Sequence, residues 1–159
     1  MRAHHVIGAM SPAEFQRMIG KLKEESPESV QGATLAAAQI LKFRPKFLLK
    51  QPEAKRISSI KGALARVTGN QLAEELLAVY FLKCRLPLLE EWLNLMGLEH
   101  EKGVLTQDEL PCPSEADLEE KVGRFRSADA DEDREILLRV FASQPAIEWP
   151  ALERLLEND

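Results

Sequence analysis

The sequence predicts an all-α protein: a single-domain bundle of about seven or eight helices around a central helical hairpin broken by a proline. Two observations carry this. Apolar residues recur at i, i+3, i+4 and i+7 along most of the chain. No segment alternates convincingly with period two, so no sheet is expected.

The centre is residues 71–98, QLAEELLAVYFLKCRLPLLEEWLNLMGL. On a helical wheel Gln71, Glu74, Glu75 and Arg85 fall in one arc, while Leu72, Ala73, Leu76, Leu77, Val79, Tyr80, Phe81 and Cys84 occupy most of the remainder. A helix apolar around so much of its circumference must be covered on several sides. Lys83 is the exception, and its long stem can carry the ammonium to water. Pro87 ends this helix, because proline lacks the N–H and disfavours the helical region for the residue before it. Proline suits the start of a new helix, so residues 87–96 read as a second one, with Leu88, Leu89, Trp92, Leu93, Leu95 and Met96 on one face. Gly97 stands where a left-handed cap is wanted. Either an αα-hairpin or a kinked helix satisfies this pattern.

Taken in order, residues 1–10 carry one Arg and a short apolar patch, too weak for a signal peptide, and are expected to be a flexible terminus. Ser11-Pro12-Ala13-Glu14 is a capping box, and Phe15, Met18, Ile19 and Leu22 form the stripe of the helix it opens. Residues 29–43 make a helix whose Ala33, Ala36, Ala37 and Ala38 permit close approach by a neighbour. Pro45 and Pro52 bracket a short apolar turn, Phe47-Leu48-Leu49. Pro52 starts a longer helix with Ile57, Ile60, Leu64 and Val67 inward, and Thr68-Gly69-Asn70 ends it and caps the central helix. Residues 98–113 contain Gly103, Pro111 and Pro113 and read as a long loop before a C-terminal helical subregion, 114–157. There, Ser114 with Asp117 caps a helix striped by Leu118, Val122 and Phe125. A break at 128–131 precedes a helix with Ile136, Leu137, Val140 and Phe141, and a last one carries Leu152, Leu155 and Leu156. Residues 40–44 and 81–85 echo each other at an offset of 41, a spacing that suits helical-pair repeats and makes short α-solenoid character an alternative, but no third copy follows and chance between amphipathic helices is the preferred reading.

Composition narrows the function classes. Hydrophobic residues make up 45% and charged residues 30% of the 159, the profile of a globular chain. No apolar run reaches the ~20 residues of a membrane helix, since Lys83 and Arg85 interrupt the best candidate, so no membrane partner is expected. Cys84 and Cys112 fit free thiols in a reducing cytoplasm rather than a disulfide framework. The net charge of −5 is unevenly spread: residues 42–68 carry +7 and residues 99–135 carry −8.

Catalytic patterns are missing from the sequence. Of the histidines, His4 and His5 lie at the terminus and His100 in Glu99-His100-Glu101. No H-E-x-x-H or paired-cysteine spacing offers a metal set, no nucleotide-binding glycine loop occurs, and no cofactor is expected. Asp129, Asp131 and Asp133 begin like a calcium loop, but Arg134 stands at its sixth position and Val140 at its twelfth, so helix capping by acids is the reading. Ser58, Ser59 and Ser143 sit in helical or capping contexts. The expectation is a non-enzymatic protein–protein interaction module in the cytoplasm, partnered by another protein or a second copy. One alternative is a nucleic-acid-associated protein using Lys42, Arg44, Lys46, Lys55, Arg56 and Arg66. The other is an enzyme or ligand binder with a pocket beside the 98–113 loop, lined by His100 and Glu101.

Overall fold

The computed structural model describes residues 1–158 and is all-α. Ten α-helices occur among the described residues, more than the seven or eight expected. The chain divides into two compact units, Arg2–Cys84 and Arg85–Asp159, the latter joined by Met1. The boundary falls inside the stretch that the sequence places at the centre.

In the first unit, α1 (Ala3–Ala9) replaces the flexible terminus expected there. Ala3, Val6, Ile7 and Met10 form an i, i+3, i+4, i+7 stripe and are all buried, α1 packing on α5 (Glu53–Leu64) and α6 (Asn70–Val79). His4 is buried too, and its backbone N–H donates to Asn70 Oδ1 at 3.2 Å while its Nδ1 lies 2.8 Å from the same oxygen. Asn70 therefore ties the terminus down, and Gly69 stands at the N-cap of α6 without a capping side chain. Gly69 is required by space: a Cβ would come within 2.4 Å of the Ala63 carbonyl oxygen. The capping box at Ser11 and Glu14 forms as expected and opens α2 (Pro12–Glu25), whose Phe15, Met18, Ile19 and Leu22 are buried. This helix packs on α3 (Pro27–Ile40), which buries Ala33, Ala37 and Ala38, and on α5.

Two expectations fail locally. Val67 is 68% exposed rather than inward, because α5 ends at Leu64 and a 3₁₀ turn, Val67–Gly69, follows. The central helix keeps α geometry only to Val79, and Tyr80–Cys84 continues as a π turn. That wider turn accompanies the burial of two adjacent rings, Tyr80 and Phe81, 5.1 Å apart edge to face. The burial itself is as expected: Ala73, Leu76 and Leu77 are covered along with both rings. The pentapeptides that echo at an offset of 41 adopt different backbones, one leaving its helix through a left-handed Lys42 and the other running through the π turn to Arg85 just beyond it.

In the second unit Arg85 leaves the helical region (φ −133°, ψ 34°) and α7 (Leu86–Leu95) begins with Pro87 in its first turn. Leu88, Leu89, Trp92, Leu93 and Met96 are buried, and Gly97 takes the expected left-handed cap at φ 69°. Trp92 is fully buried against Phe125 of α8 (Glu115–Ser127) and Phe141 of α9 (Asp133–Ser143), and Phe141 in turn meets Trp149, the N-cap of α10 (Pro150–Glu157). The loop expected at 98–113 is partly ordered by a small hairpin, β1 (His100–Glu101) and β2 (Val104–Leu105), which corrects the expectation of no sheet. Its two-residue turn, Lys102-Gly103, has positive φ at both positions (49° and 83°). Strands of two residues are too short to show a period.

Position 48 gives the cleanest test of packing in the first unit. Leu48 is 0% exposed on α4 (Pro45–Lys50), whereas its neighbour Leu49 is 52% exposed. Leu48→Ala is expected to destabilise that unit by about 2–5 kcal/mol, and Leu49→Ala by less than about 0.5 kcal/mol, read from urea unfolding of the two variants.

Candidate docking surface

Residues 42–50 carry four cations and three exposed apolar side chains. Lys42 adopts a left-handed conformation at φ 57°, where glycine is the usual cap, at a cost of about 1–2 kcal/mol. The Phe43 N–H donates to the Ala38 carbonyl at 2.8 Å and the chain turns into α4. On that helix Leu48 points inward, so Lys46 and Lys50, one turn apart, share the opposite face. Phe47 and Leu49 flank this pair, one on each side. Phe43 and Phe47 are 37% and 54% exposed, and their rings meet edge to face at 5.3 Å. Lys42, Arg44, Lys46 and Lys50 are exposed and enter no ion pair among the described residues. The result is a cationic ridge bordered by uncovered apolar side chains.

The other sequence-selected cations stand apart from it. Arg56 turns back to the chain, its Nη1 donating to the carbonyls of Leu49 (3.4 Å) and Gln51 (3.5 Å), so it clamps the α4–α5 connection. Lys55 lies on the first turn of α5 and is exposed. Arg66 lies past the far end of the same 12-residue helix, roughly 16 Å along its axis from Lys55. The sequence marks Phe47-Leu48-Leu49 only as a short apolar turn and does not reveal the apolar half of the surface: Leu48 is buried, whereas Phe47 and Leu49 are exposed.

His100 and Glu101 are in the hairpin. The Gly103 N–H donates to His100 Nδ1 at 3.2 Å and His100 Nε2 lies 2.8 Å from Asn94 Oδ1, so one ring nitrogen holds the turn and the other ties it to α7. Glu101 is exposed. A separate groove of about 280 Å³ lies between α3 and α6, lined by Ser29, Gly32, Ala33, Leu72, Glu75, Leu76 and Val79; Glu75 is its single charged residue. Ser143 is buried and its hydroxyl donates to the Val140 carbonyl at 2.7 Å. Cys84 and Cys112 are free, and burial pushes the Cys84 thiol up.

The aspartates that begin like a calcium loop face arginines. Asp129 accepts the Asp131 N–H at 2.9 Å and Asp131 accepts the Asp133 N–H at 3.0 Å, two turns of the kind aspartate favours before a helix. Arg134, 6% exposed, grips Asp129 and Glu91 with paired hydrogen bonds of 2.7–3.1 Å and stacks on Phe125 at 4.7 Å. Arg85 pairs with Asp133 at 3.0 Å and with Asp131. Among the described residues no group of three or more His, Cys, Asp or Glu side chains is arranged to hold a metal ion.

The Arg134 hydrogen bond, reinforced by the Asp131 N–H, holds the Asp129 carboxyl down at about 2. Burial raises Asp131, but Arg85 and the Asp133 N–H outweigh it and leave that carboxyl below its usual value. A carboxyl depressed in the folded state contributes stability that is complete above its unfolded value and is lost as pH falls through the folded one. The second unit is therefore expected to loosen between pH 3.8 and about 2. Both tryptophans, Trp92 and Trp149, lie in this unit, so their emission reads the transition. Asp129→Asn should reduce its steepness, and an unchanged acid transition in that variant would count against the assignment. No helix of the described residues is long and apolar enough to cross a membrane. Set against protein-family models, curated proteins and solved structures, the chain matches none of them.

Proposed function

We propose that the protein is a non-enzymatic protein–protein interaction module of the cytoplasm, docking its partner on the 42–50 surface. The observation that supports this reading is the pairing of Phe43, Phe47 and Leu49 with four cations that have no ion-pair partner among the described residues. Exposed aromatic and leucine side chains supply the apolar area that drives association. Basic side chains around them select an acidic partner and speed its arrival. The left-handed Lys42 borders the same surface, and backbone strain of this kind clusters at functional sites. Two free thiols support the cytoplasmic setting.

One observation favours a second reading, nucleic-acid association: rings beside lysines and arginine form a platform of the kind on which unpaired bases stack. Arg56 is engaged by backbone carbonyls and Arg66 is remote, which leaves a short cationic track and ranks this reading second.

The test is capture of partner proteins by immobilised wild type, Phe47→Asp and Lys46→Glu, with circular dichroism confirming that the variants are folded. A partner retained by the wild type, released at high salt and lost from both variants is the expected result. Identical capture by all three proteins would remove the surface from the account. Salt-sensitive binding of mixed-sequence single-stranded oligonucleotides, without a protein partner, would transfer it to the second reading.

A further inference from the structure

We propose that the partner seated on the 42–50 surface is a second copy of this chain, which offers its acidic hairpin segment, residues 99–109. The inference rests on the reading of 42–50 as a docking surface and adds the identity of the occupant.

Charge complementarity carries it. Glu99, Glu101, Asp108 and Glu109 are exposed and enter no ion pair among the described residues, four acids to meet Lys42, Arg44, Lys46 and Lys50. Several other acids of the second unit are committed: Asp129 to Arg134, Asp131 and Asp133 to Arg85, Glu135 to Arg126, Asp117 to Lys121 and Glu115 to Arg154. Glu119, Glu120, Glu148 and Glu157 are exposed as well. The hairpin differs from them in its apolar half. Val104 is 57% exposed, the single large apolar side chain so exposed among the described residues of its unit, and it pairs across the ladder with Glu101. Residues opposite each other in an antiparallel pair project to the same side. The hairpin therefore sets an acid beside an uncovered valine, as α4 sets a lysine beside an uncovered phenylalanine.

The segment is also held ready. His100 bridges Asn94 and the Gly103 N–H, the Glu99 N–H donates to Gln107 Oε1 at 2.8 Å, and the Thr106 N–H donates to the Glu99 carbonyl at 3.1 Å. Little ordering cost remains at docking. Two different surfaces meet in this contact, so copies either exchange it reciprocally in a two-fold dimer or pass it head to tail into a ring or an open chain.

Sedimentation velocity over a range of concentrations tests it. The expected result is association above the monomer at low salt that reverts to monomer at high salt, where exposed charges are screened. The double variant Lys46→Glu/Lys50→Glu and the double variant Glu99→Lys/Glu101→Lys should each associate at least about tenfold more weakly, and an equimolar mixture of the two should recover association. Val104→Ala should weaken it without altering charge. A monomer at every concentration in low salt overturns the inference, as does association undiminished in both double variants. If the wild type stays monomeric yet captures a partner that Phe47→Asp loses, the second copy is wrong and the docking surface stands. If that capture is also indifferent to Phe47→Asp, both fail together.

Discussion

The exposed surface of the first unit exists because one leucine is buried. Leu48 is the single side chain of α4 taken into the core, and a six-residue helix anchored at one point has its remaining directions dictated by the helical repeat. Lys46 and Lys50 must then face away, and Phe47 and Leu49 must straddle them. The prolines at 45 and 52 keep the segment from merging with α3 or α5, so it cannot rotate its apolar neighbours inward by joining a longer amphipathic helix. Exposure of Phe47 is thus built into the local geometry.

Electrostatics divides the second unit in a different manner. Its acids around the start of α9 are drawn into two arginines, Arg134 and Arg85, and a guanidinium with paired carboxylate contacts is a directional device rather than a diffuse charge. Arg134 also lies over Phe125, whose other neighbour is Trp92. The ion network and the aromatic core consequently share an element: moving Arg134 would disturb the ring on which Trp92 packs. The acids of the hairpin have no such employment, although they belong to the same −8 segment. Summed charge along a chain therefore conceals two populations, one structural and one available to solvent.

Much of the architecture was legible in the residues. The stripes Phe15-Met18-Ile19-Leu22 and Leu118-Val122-Phe125, the caps at Ser11 and Ser114 and the left-handed Gly97 all follow from helical spacing and cap chemistry. The first helix is spelled by Ala3, Val6, Ile7 and Met10, but a stripe this close to a chain end is a weak signal, because terminal residues usually fray unless something such as Asn70 ties them down. The π turn at 80–84 and the 3₁₀ turn at 67–69 were hidden for a physical reason: both are set by what the neighbouring elements cover, and neither has a local pattern of its own. In the hairpin, Lys102 in a left-handed position concealed half of the turn signal that Asn-Gly would have given.

The candidate site was legible in its charges and invisible in its apolar part. Five of the six cations selected from sequence, Lys42, Arg44, Lys46, Lys55 and Arg66, are exposed and outside any ion pair among the described residues, yet charge alone did not separate Arg56, which is spent on backbone carbonyls. The apolar run Phe47-Leu48-Leu49 would be buried as one only if residues adjacent in sequence shared a fate. In a helix they cannot: neighbours at positions 47, 48 and 49 point roughly 100° apart, so in a one-turn helix docked by its middle residue the two flanking ones must leave the interior. The same rule turns an apparent hydrophobic run into a bordered cationic ridge, which is why the surface became recognisable only when the helix boundaries were known.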